Sequence, residues 1–266
     1  MSGSMEGRVA IVTGGGTGIG AAIVRRLVAQ GVRCIANYAS SRDEADALRG
    51  ELGAEHVIAV QADIVDDAAC RMLAATASER FGRIDFLVNN AGRTKFANHE
   101  DLDALEGEDF IDLYRLNVIA AFQMIRACRP ALAAGDASAI VNIASVAGQF
   151  GIGSSLAYAC SKGAMTTMTL SMARVLAPAI RVNAVAPGYV GTGWFEKRLG
   201  AEGFAKLNAR IAGSVPMALA TMAQDVAAPV AMLLDPAARA VTGEVLLVDA
   251  GMHLDVGLSR RPGREG

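Results

Sequence analysis

A tyrosine and a lysine with catalytic spacing stand in the segment YACSK at 158–162. The surrounding Ala, Met and Leu residues predict a helix from about Ser155 to Leu176, and residues four apart on a helix lie on the same face. A free phenol has a pKa of ~10, and a nearby ammonium favours the phenolate and lowers that pKa. Tyr158 is therefore a candidate general acid or base for a carbonyl or an alcohol, with Lys162 tuning it.

A serine upstream could act on the same substrate oxygen. Ser145 ends the segment VNIAS at 141–145 and offers a hydroxyl that could hold that oxygen. A Tyr and a Lys four apart are also common on solvated helix faces, so the pair does not establish catalysis by itself. The remaining elements must show that these groups converge.

Length and composition indicate one large α/β domain. The chain has 266 residues, of which 52% are hydrophobic, and these suffice for a well-filled core. A net charge of -2 argues against a general binder of nucleic acid or of anionic membranes. No apolar run is long enough to span a bilayer. Residues 1–8 lack the apolar core of a signal peptide, which predicts a cytoplasmic protein.

Cysteine and histidine show no metal-binding pattern. The four cysteines form no CxxC and do not pair with the three histidines at ligand spacing. We expect reduced thiols packed as small apolar groups, and no metal.

A glycine-rich loop stands between a predicted strand, Arg8–Thr13, and a predicted helix at 21–30. Glycines let the backbone approach a ligand closely, and a helix N-terminus offers free N–H groups to a pyrophosphate. Several glycine motifs fit this string, so the loop alone does not establish which one is used. The cofactor contacts predicted here are Gly14, Thr17, Gly18, Ile19 and Gly20.

The end of the second predicted strand bears on the choice between two cofactors. In an NAD-binding unit an Asp or Glu near this point would bond the ribose 2′-OH, but Asn37 stands there. Ser40, Ser41 and Arg42 follow and could accept a 2′-phosphate. The sequence therefore favours NADP over NAD, although Arg42 would also suit a solvated helix start.

Strands and helices alternate along the first half of the chain, which predicts parallel pairing with right-handed crossovers. Ligands of such sheets bind beyond the carboxyl ends of the strands. The glycine loop, Asn37, Asp63 and the segment NNAG at 89–92 all fall there. The predicted strands are 8–13, 32–38, 56–63 and 84–88, and the helices are 21–30, 43–53, 66–81, about 110–128 and 155–176.

Together these motifs resemble the short-chain dehydrogenase/reductase family, in its compact single-domain branch. The resemblance runs from Arg8 to about Leu254. Within the family, the chain is most similar in its overall pattern to 3-oxoacyl-[acyl-carrier-protein] reductases. The matching motifs, in family order, are Thr13-Gly14, Gly18-Ile19-Gly20, Asp63, Asn89-Asn90-Ala91-Gly92, Asn117, Ser145, Tyr158 with Lys162, and Pro187-Gly188 with Thr192. The resemblance implies a doubly wound parallel sheet (Rossmann fold) over residues 8–256, with a substrate flap at about 191–216. Residues 1–7 would be a flexible N-terminus or cloning remnant, and 257–266 a flexible tail.

The resemblance also implies roles for individual residues. Tyr158 would be the general acid/base, Lys162 would lower its pKa and bond the nicotinamide ribose, and Ser145 would orient the substrate oxygen. Asn117 would hold a water that links Lys162 to solvent. The further cofactor contacts implied are Asp63 and Ile64 at the adenine, Asn90, Ala91 and Gly92 in the cleft, and Pro187, Gly188, Val190 and Thr192 at the nicotinamide.

The expected activity is hydride transfer between NADP(H) and a small-molecule carbonyl or secondary alcohol, with a 3-oxoacyl thioester as one substrate class. Thr17 stands where NADP-preferring members often carry a basic residue, so NAD-linked oxidation of a sugar, polyol or steroid alcohol is the alternative. A cofactor-binding regulatory protein without turnover is the alternative from another class. The resemblance further implies that the Tyr158 and Asn117 helices pair across a two-fold axis, as they do in dimers and tetramers of the family. Of these two states, we expect a homotetramer.

Overall fold

One parallel sheet of seven strands organises the chain, of which the computed structural model describes residues 5–254. The strand order is β3-β2-β1-β4-β5-β6-β7, and every neighbouring pair is parallel. This is the doubly wound sheet predicted from the sequence. The strands are Val9–Val12 (β1), Arg33–Tyr38 (β2), Val57–Gln61 (β3), Phe86–Asn89 (β4), Ser138–Ile143 (β5), Ile180–Pro187 (β6) and Val245–Val248 (β7).

Helices cover both faces of this sheet. The α-helices are Gly18–Val28 (α1), Arg42–Leu52 (α2), Asp67–Phe81 (α3), Gly107–Tyr114 (α4), Ala120–Ala133 (α5), Ala147–Phe150 (α6), Leu156–Leu176 (α7), Gly193–Ser214 (α8) and Ala223–Leu234 (α9). Within residues 5–254, no helix combines the length and the hydrophobicity needed to cross a lipid bilayer.

Alternation along the central strands sends side chains into two cores. On β1, Ala10 and Val12 pack with α1 and α9 on one face, and Ile11 packs with α3 and α5 on the other. Both faces are buried, as expected for a parallel sheet between helix layers. The strand order reverses between β1 and β4, so the cleft beyond their carboxyl ends lies at a topological switch point.

The N-terminal boundary differs from the sequence-based expectation. Met5, which was expected in a flexible segment, is buried in the core with α1, and the Gly7 N–H donates to the Gly31 carbonyl at 2.9 Å. A single apolar side chain that finds a core pocket is enough to order so short a segment. The expected tail at 257–266 lies outside the described residues.

The expected flap segment is mostly helical. Thr192 precedes α8, and the helix changes direction at Gly200, where φ is 70°. A φ in this region is readily adopted by glycine and strained for other residues. The flap is therefore two helical pieces joined at a glycine and lying next to the cleft.

Candidate active site

Tyr158 and Lys162 lie one turn apart near the start of α7, as predicted. Ser155 precedes the helix, and its Oγ accepts a hydrogen bond from the Tyr158 N–H at 3.2 Å. Such an N-cap satisfies one of the free donors of the first turn. Lys162 Nζ lies 5.8 Å from the centre of the Tyr158 ring. The N-cap thus sets where α7 begins and which residues face the cleft.

A glycine brings Ser145 to the same place. Ser145 follows β5 and is buried, with its Oγ accepting from the Ala147 N–H at 3.2 Å. The short helix α6 then crosses α7 so closely that a Cβ on Gly148 would lie 2.3 Å from the Lys162 carbonyl carbon. Only glycine permits this approach. Sequence reasoning missed Gly148, because a small residue after a strand carries no signal of the helix it will meet.

The pKa of the Tyr158 phenol shifts in the direction opposite to the expected one. Burial raises the pKa of Tyr158, and the Ser145 hydroxyl offsets part of that rise by hydrogen bonding. Burial also lowers the pKa of Lys162 from 10.5 to about 8. Burial therefore dominates at both groups, because loss of water disfavours both charged forms. The expected lowering of the Tyr158 pKa by Lys162 stays a prediction.

Lys162 has hydrogen-bonding capacity to spare. Its Nζ is buried and donates to the Ile143 carbonyl at 2.7 Å. An ammonium has three donors, and this is its one hydrogen bond among the described residues. A Cβ on Gly92 would lie 3.6 Å from Nζ, so the glycine leaves the ammonium accessible on that side. Two donors at the base of a cleft fit the hydroxyl groups of a ribose.

Asn117 anchors the loop beside Lys162. It lies in a π-helical turn, Arg115–Ile119, between α4 and α5, and it is fully buried. Its Oδ1 accepts from the Arg93 N–H at 2.9 Å, and its Nδ2 donates to the Arg93 carbonyl and to Ser161 Oγ, both at 3.0 Å. These bonds place the loop after β4 against α7. The expected water relay through Asn117 stays a prediction.

The glycine loop is fastened to β4. Thr13 Oγ1 accepts from the backbone N–H groups of Asn90 and Ala91 at 3.0 Å, and Asn90 Nδ2 donates to the Thr13 carbonyl at 2.8 Å. A Cβ on Gly20 would lie 2.1 Å from the Gly14 carbonyl oxygen. Asn90 therefore holds the loop through its amide as well as lining the cleft.

The start of α1 suits a phosphate. Thr17 precedes the helix and makes no capping hydrogen bond with its side chain. A Cβ on Gly18 would meet only Thr192, at 3.7 Å. The first N–H groups of a helix are free donors at the positive end of its dipole. This uncapped end, together with Lys162, fits a nicotinamide dinucleotide.

The residues expected to bind the cofactor near the end of β2 differ in their exposure. Asn37 is buried and faces backbone, with Nδ2 donating to the Ala62 carbonyl at 2.9 Å and Oδ1 accepting from the Gly14 N–H at 3.4 Å. It braces the glycine loop against β3. Arg42 is exposed and donates to Gln61 Oε1 at 2.8 Å, with Ser40 exposed and Ser41 half-buried before it.

Asp63 and Ile64, expected at the adenine, also differ from each other. Asp63 is exposed, and its Oδ1 accepts from the Val65 N–H at 3.1 Å. Ile64 is buried in the core with α3 and α5. Its side chain therefore serves packing, and its carbonyl already accepts from Cys70 Sγ at 3.2 Å and Gln123 Nε2 at 3.1 Å.

A cavity of about 1050 Å³ joins these groups. The predicted site residues that line it are Ile19, Asn90, Gly92, Ser145, Tyr158, Lys162, Pro187, Gly188, Val190 and Thr192. Ile152, Gly153 and Ser154, which lie between Ser145 and Tyr158 in the sequence, also line the cavity. Sequence reasoning missed Thr94, Phe96 and Met252 as lining residues, because nothing in their local pattern marks them.

The cysteines are free, as expected, but not all are packed. Cys34, Cys70 and Cys128 are buried, and burial raises the pKa of each thiol. Cys160 is exposed, because it lies on the side of α7 that turns away from the core.

Comparison with known proteins gives consistent relatives. A family model described as enoyl-(acyl carrier protein) reductase matches residues 14–253. A Streptomyces violaceoruber protein named as ketoacyl reductase 2 of the granaticin polyketide synthase is 39% identical over 249 residues, 94% of this chain and 97% of that protein. A 3-oxoacyl-[acyl-carrier-protein] reductase of Synechocystis is 35% identical, over 94% of this chain and 98% of that protein.

Solved structures agree with these relatives. The crystal structure of a protein from Burkholderia xenovorans, described as a short-chain dehydrogenase/reductase, superposes with a TM-score of 0.84 at 36% identity. The match covers 93% of this chain and 98% of that one. Similarity therefore extends over the whole sheet and its cleft.

Proposed function

The chain belongs to the short-chain dehydrogenase/reductase family of NAD(P)-dependent oxidoreductases, and on this premise we propose that it is an NADPH-dependent reductase of 3-oxoacyl thioesters. The observation that carries the chemistry is the opening of Ser145, Tyr158 and Lys162 into one cavity. The names of the relatives from Streptomyces and Synechocystis support the substrate class.

The side chains divide the work of ketone reduction. Because burial raises the pKa of Tyr158, the phenol is protonated at neutral pH and can donate its proton to the carbonyl oxygen. Ser145 lies beside it and can donate a hydrogen bond to the same oxygen as negative charge develops there. The nicotinamide cofactor supplies the hydride when it is bound.

Lys162 has two roles in this proposal. Its free donors hold the ribose hydroxyls, which orients the ring that carries the hydride. Its ammonium also stabilises the phenolate that remains after Tyr158 has given up its proton. Asn117 acts as a positioning residue, since it holds the loop at Gly92 against Lys162.

The preference for NADPH rests on the groups after β2. Ser40, Ser41 and Arg42 supply two hydroxyls and a guanidinium, and an Arg fork matches phosphate geometry. No carboxylate occupies the strand end, where Asn37 is committed to backbone. Both features favour a 2′-phosphate over a free 2′-hydroxyl.

Coenzyme oxidation with a 3-oxobutanoyl thioester tests the proposal, with NADPH and NADH assayed in parallel. We expect turnover with NADPH at a kcat/KM at least about tenfold above that with NADH. Binding of NADPH without reduction of the thioester would retain the family and reject the substrate class. Alcohols, sugars and steroids with NAD⁺ would then be the next assays.

Arg42→Ala tests the cofactor preference separately. We expect the KM for NADPH to rise about tenfold or more and that for NADH to change little. Arg49→Ala on the same exposed helix is the matched control and should leave both unchanged. Equal losses with the two cofactors would contradict a 2′-phosphate contact.

The proposal includes a homotetramer. Helices α5 and α7 expose large apolar side chains, among them Phe122, Leu170 and Val175, and such a surface favours burial against a second copy. Light scattering after size-exclusion chromatography should give about four times the 27.5 kDa chain mass. A monomeric mass would reject this part of the proposal.

A further inference from the structure

Two hydroxyls meet across the substrate side of the cavity. Thr94, in the loop after β4, and Ser154, in the turn before α7, are hydrogen-bonded to each other through their side chains. The Ala97 N–H also donates to the Ser154 carbonyl at 2.9 Å. Both residues line the cavity and are partly exposed.

This Thr94–Ser154 pair lies close to the reacting groups. Gly92, two residues before Thr94, would place a Cβ 3.6 Å from Lys162 Nζ. Gly153, directly before Ser154, would place one 4.0 Å from Tyr158 Cδ1. Each hydroxyl is therefore one or two residues from backbone that packs on a catalytic side chain.

The wall around the pair is largely apolar. Phe96, Ile152, Phe195 and Met252 line the same cavity. A substrate carbonyl pressed against such a wall would lose its hydrogen bonds to water, at a cost in binding unless a protein donor replaces them. The hydroxyl pair offers such a donor within this apolar part of the wall.

The hydrogen-bonding inventory leaves capacity for a ligand. Two hydroxyls carry two donors and four acceptor lone pairs. Their mutual bond uses one donor, and Thr94 can direct its own towards the Lys95 carbonyl at 3.3 Å, a long contact. A short rotation about one side-chain torsion frees a donor for an oxygen in the cavity.

We propose that the Thr94–Ser154 pair binds the second, non-reacting oxygen of a 1,3-dicarbonyl substrate. In a 3-oxoacyl thioester this is the thioester carbonyl, separated by one methylene from the carbon that is reduced. Ser145 and Tyr158 hold one oxygen and the pair holds the other, so the site selects β-keto compounds over isolated ketones. This inference rests on the proposed function and adds the residues that recognise its substrate.

Two substrates and three variants test it. The substrates are the N-acetylcysteamine thioesters of 3-oxobutanoic acid and 5-oxohexanoic acid, which carry the same methyl ketone and thioester at different spacing. For Ser154→Ala and Thr94→Val, we expect kcat/KM on the 3-oxo thioester to fall about tenfold, mainly through KM. The 5-oxo substrate should change less than about twofold, and Ser154→Thr should retain activity on both.

The possible outcomes separate a binding role from a structural one. Equal losses on both substrates, or loss in Ser154→Thr as large as in Ser154→Ala, would mean that the pair only ties two loops, and the inference would be rejected. Unchanged kinetics on the 3-oxo thioester would also reject it. Failure of the wild-type enzyme to reduce the 3-oxo thioester, with NADPH bound, would instead reject the proposed function. NADPH binding by each variant checks that the fold is intact.

Discussion

The base of the cleft and the flap above it are built in opposite ways. The base, here called the catalytic floor, consists of Thr13, Asn90, Asn117, Ser145 and Lys162. Four of these side chains are buried, and each of the five makes at least one hydrogen bond within the protein. The flap helix α8 has no buried residue among those whose side chains are described.

Side-chain contacts join the described part of the flap to the rest of the protein. Tyr189 Oη donates to Asn208 Oδ1 at 2.8 Å, and Lys197 pairs with Glu44 of α2 at 3.1 Å. The Arg198 guanidinium lies 5.1 Å from the centre of the Phe96 ring. Such contacts are easily broken and remade.

This difference suggests a division of labour. A largely buried floor, whose side chains are each held by at least one hydrogen bond, keeps its groups ready for a transition state without reorganisation. A lightly attached helix with a glycine bend can adapt to different acyl chains and let product leave. Substitutions in the floor should therefore affect chemistry and stability strongly, and those in the flap should have small effects.

The largest effect is expected at the proton donor. Tyr158→Phe removes the hydroxyl and little else, so kcat should fall by about 10²–10⁴-fold, the usual contribution of general acid catalysis. NADPH binding should be nearly unchanged. Tyr114→Phe, outside the cavity, is the control with full activity. Activity in Tyr158→Phe close to that of the wild type would mean that Tyr158, which lies beside Ser145 and Lys162 of the floor, is not the proton donor.

The stability of the folded protein should depend on pH through Lys162 in the floor. Its folded pKa of about 8 lies below the ordinary 10.5, so between those values the unfolded chain binds more protons. Stability from this group therefore rises with pH from about 8 to about 10.5, by roughly 3 kcal/mol in total. We subtract the unfolding free energy of Lys162→Met from that of the wild type, both measured by urea denaturation. This difference should become more positive as the pH rises across this window.

The exposed Lys206 provides the control for that experiment. Lys206→Met removes an exposed ammonium from the flap surface, so it reports the general effect of losing one positive charge. A difference for Lys162→Met that changes with pH no more than that for Lys206→Met would show that the Lys162 ammonium is not desolvated in the folded protein.

Gly148 tests how closely the floor is packed. A Cβ there would lie within 2.3 Å of Lys162 backbone, which cannot move without shifting α7. Gly148→Ala should cost about 1–3 kcal/mol of stability, as overpacking does, and should lower kcat/KM at least tenfold by displacing Ser145. Gly50→Ala, where a Cβ meets nothing within 4 Å, should be neutral or slightly stabilising. Equal thermal stability of the two variants would contradict the close approach.

Several elements that carry the catalytic residues could be predicted from the sequence. Helix α7 was expected from about Ser155 to Leu176 and agrees with the structure, because the local pattern of residues determines it. The glycine loop was found in the same way. The family resemblance supplied the roles of Ser145, Tyr158, Lys162 and Asn117, which come from separate elements.

The remaining features depend on contacts between distant segments. Asn37 was expected at the cofactor but turns to the Ala62 carbonyl, and Thr94 was not expected to meet Ser154. The direction of the Tyr158 pKa depended on how much water the finished cleft excludes. The spacing of residues along the sequence does not give the distances between distant segments in the fold. Sequence motifs therefore could not predict these contacts or the direction of this pKa shift.

The smallest effect is expected at the flap's ion pair. Lys197→Ala removes the contact with Glu44, and both side chains are largely exposed. Water and salt screen such pairs, so kcat and KM should change less than about twofold, and raising NaCl from about 0.05 M to 0.5 M should produce a similar small change in the wild type. Glu44→Ala should match Lys197→Ala, and the double variant should add nothing further. A loss approaching that of Gly148→Ala would mean that the flap is rigidly coupled to α2, and the contrast between floor and flap would then be wrong.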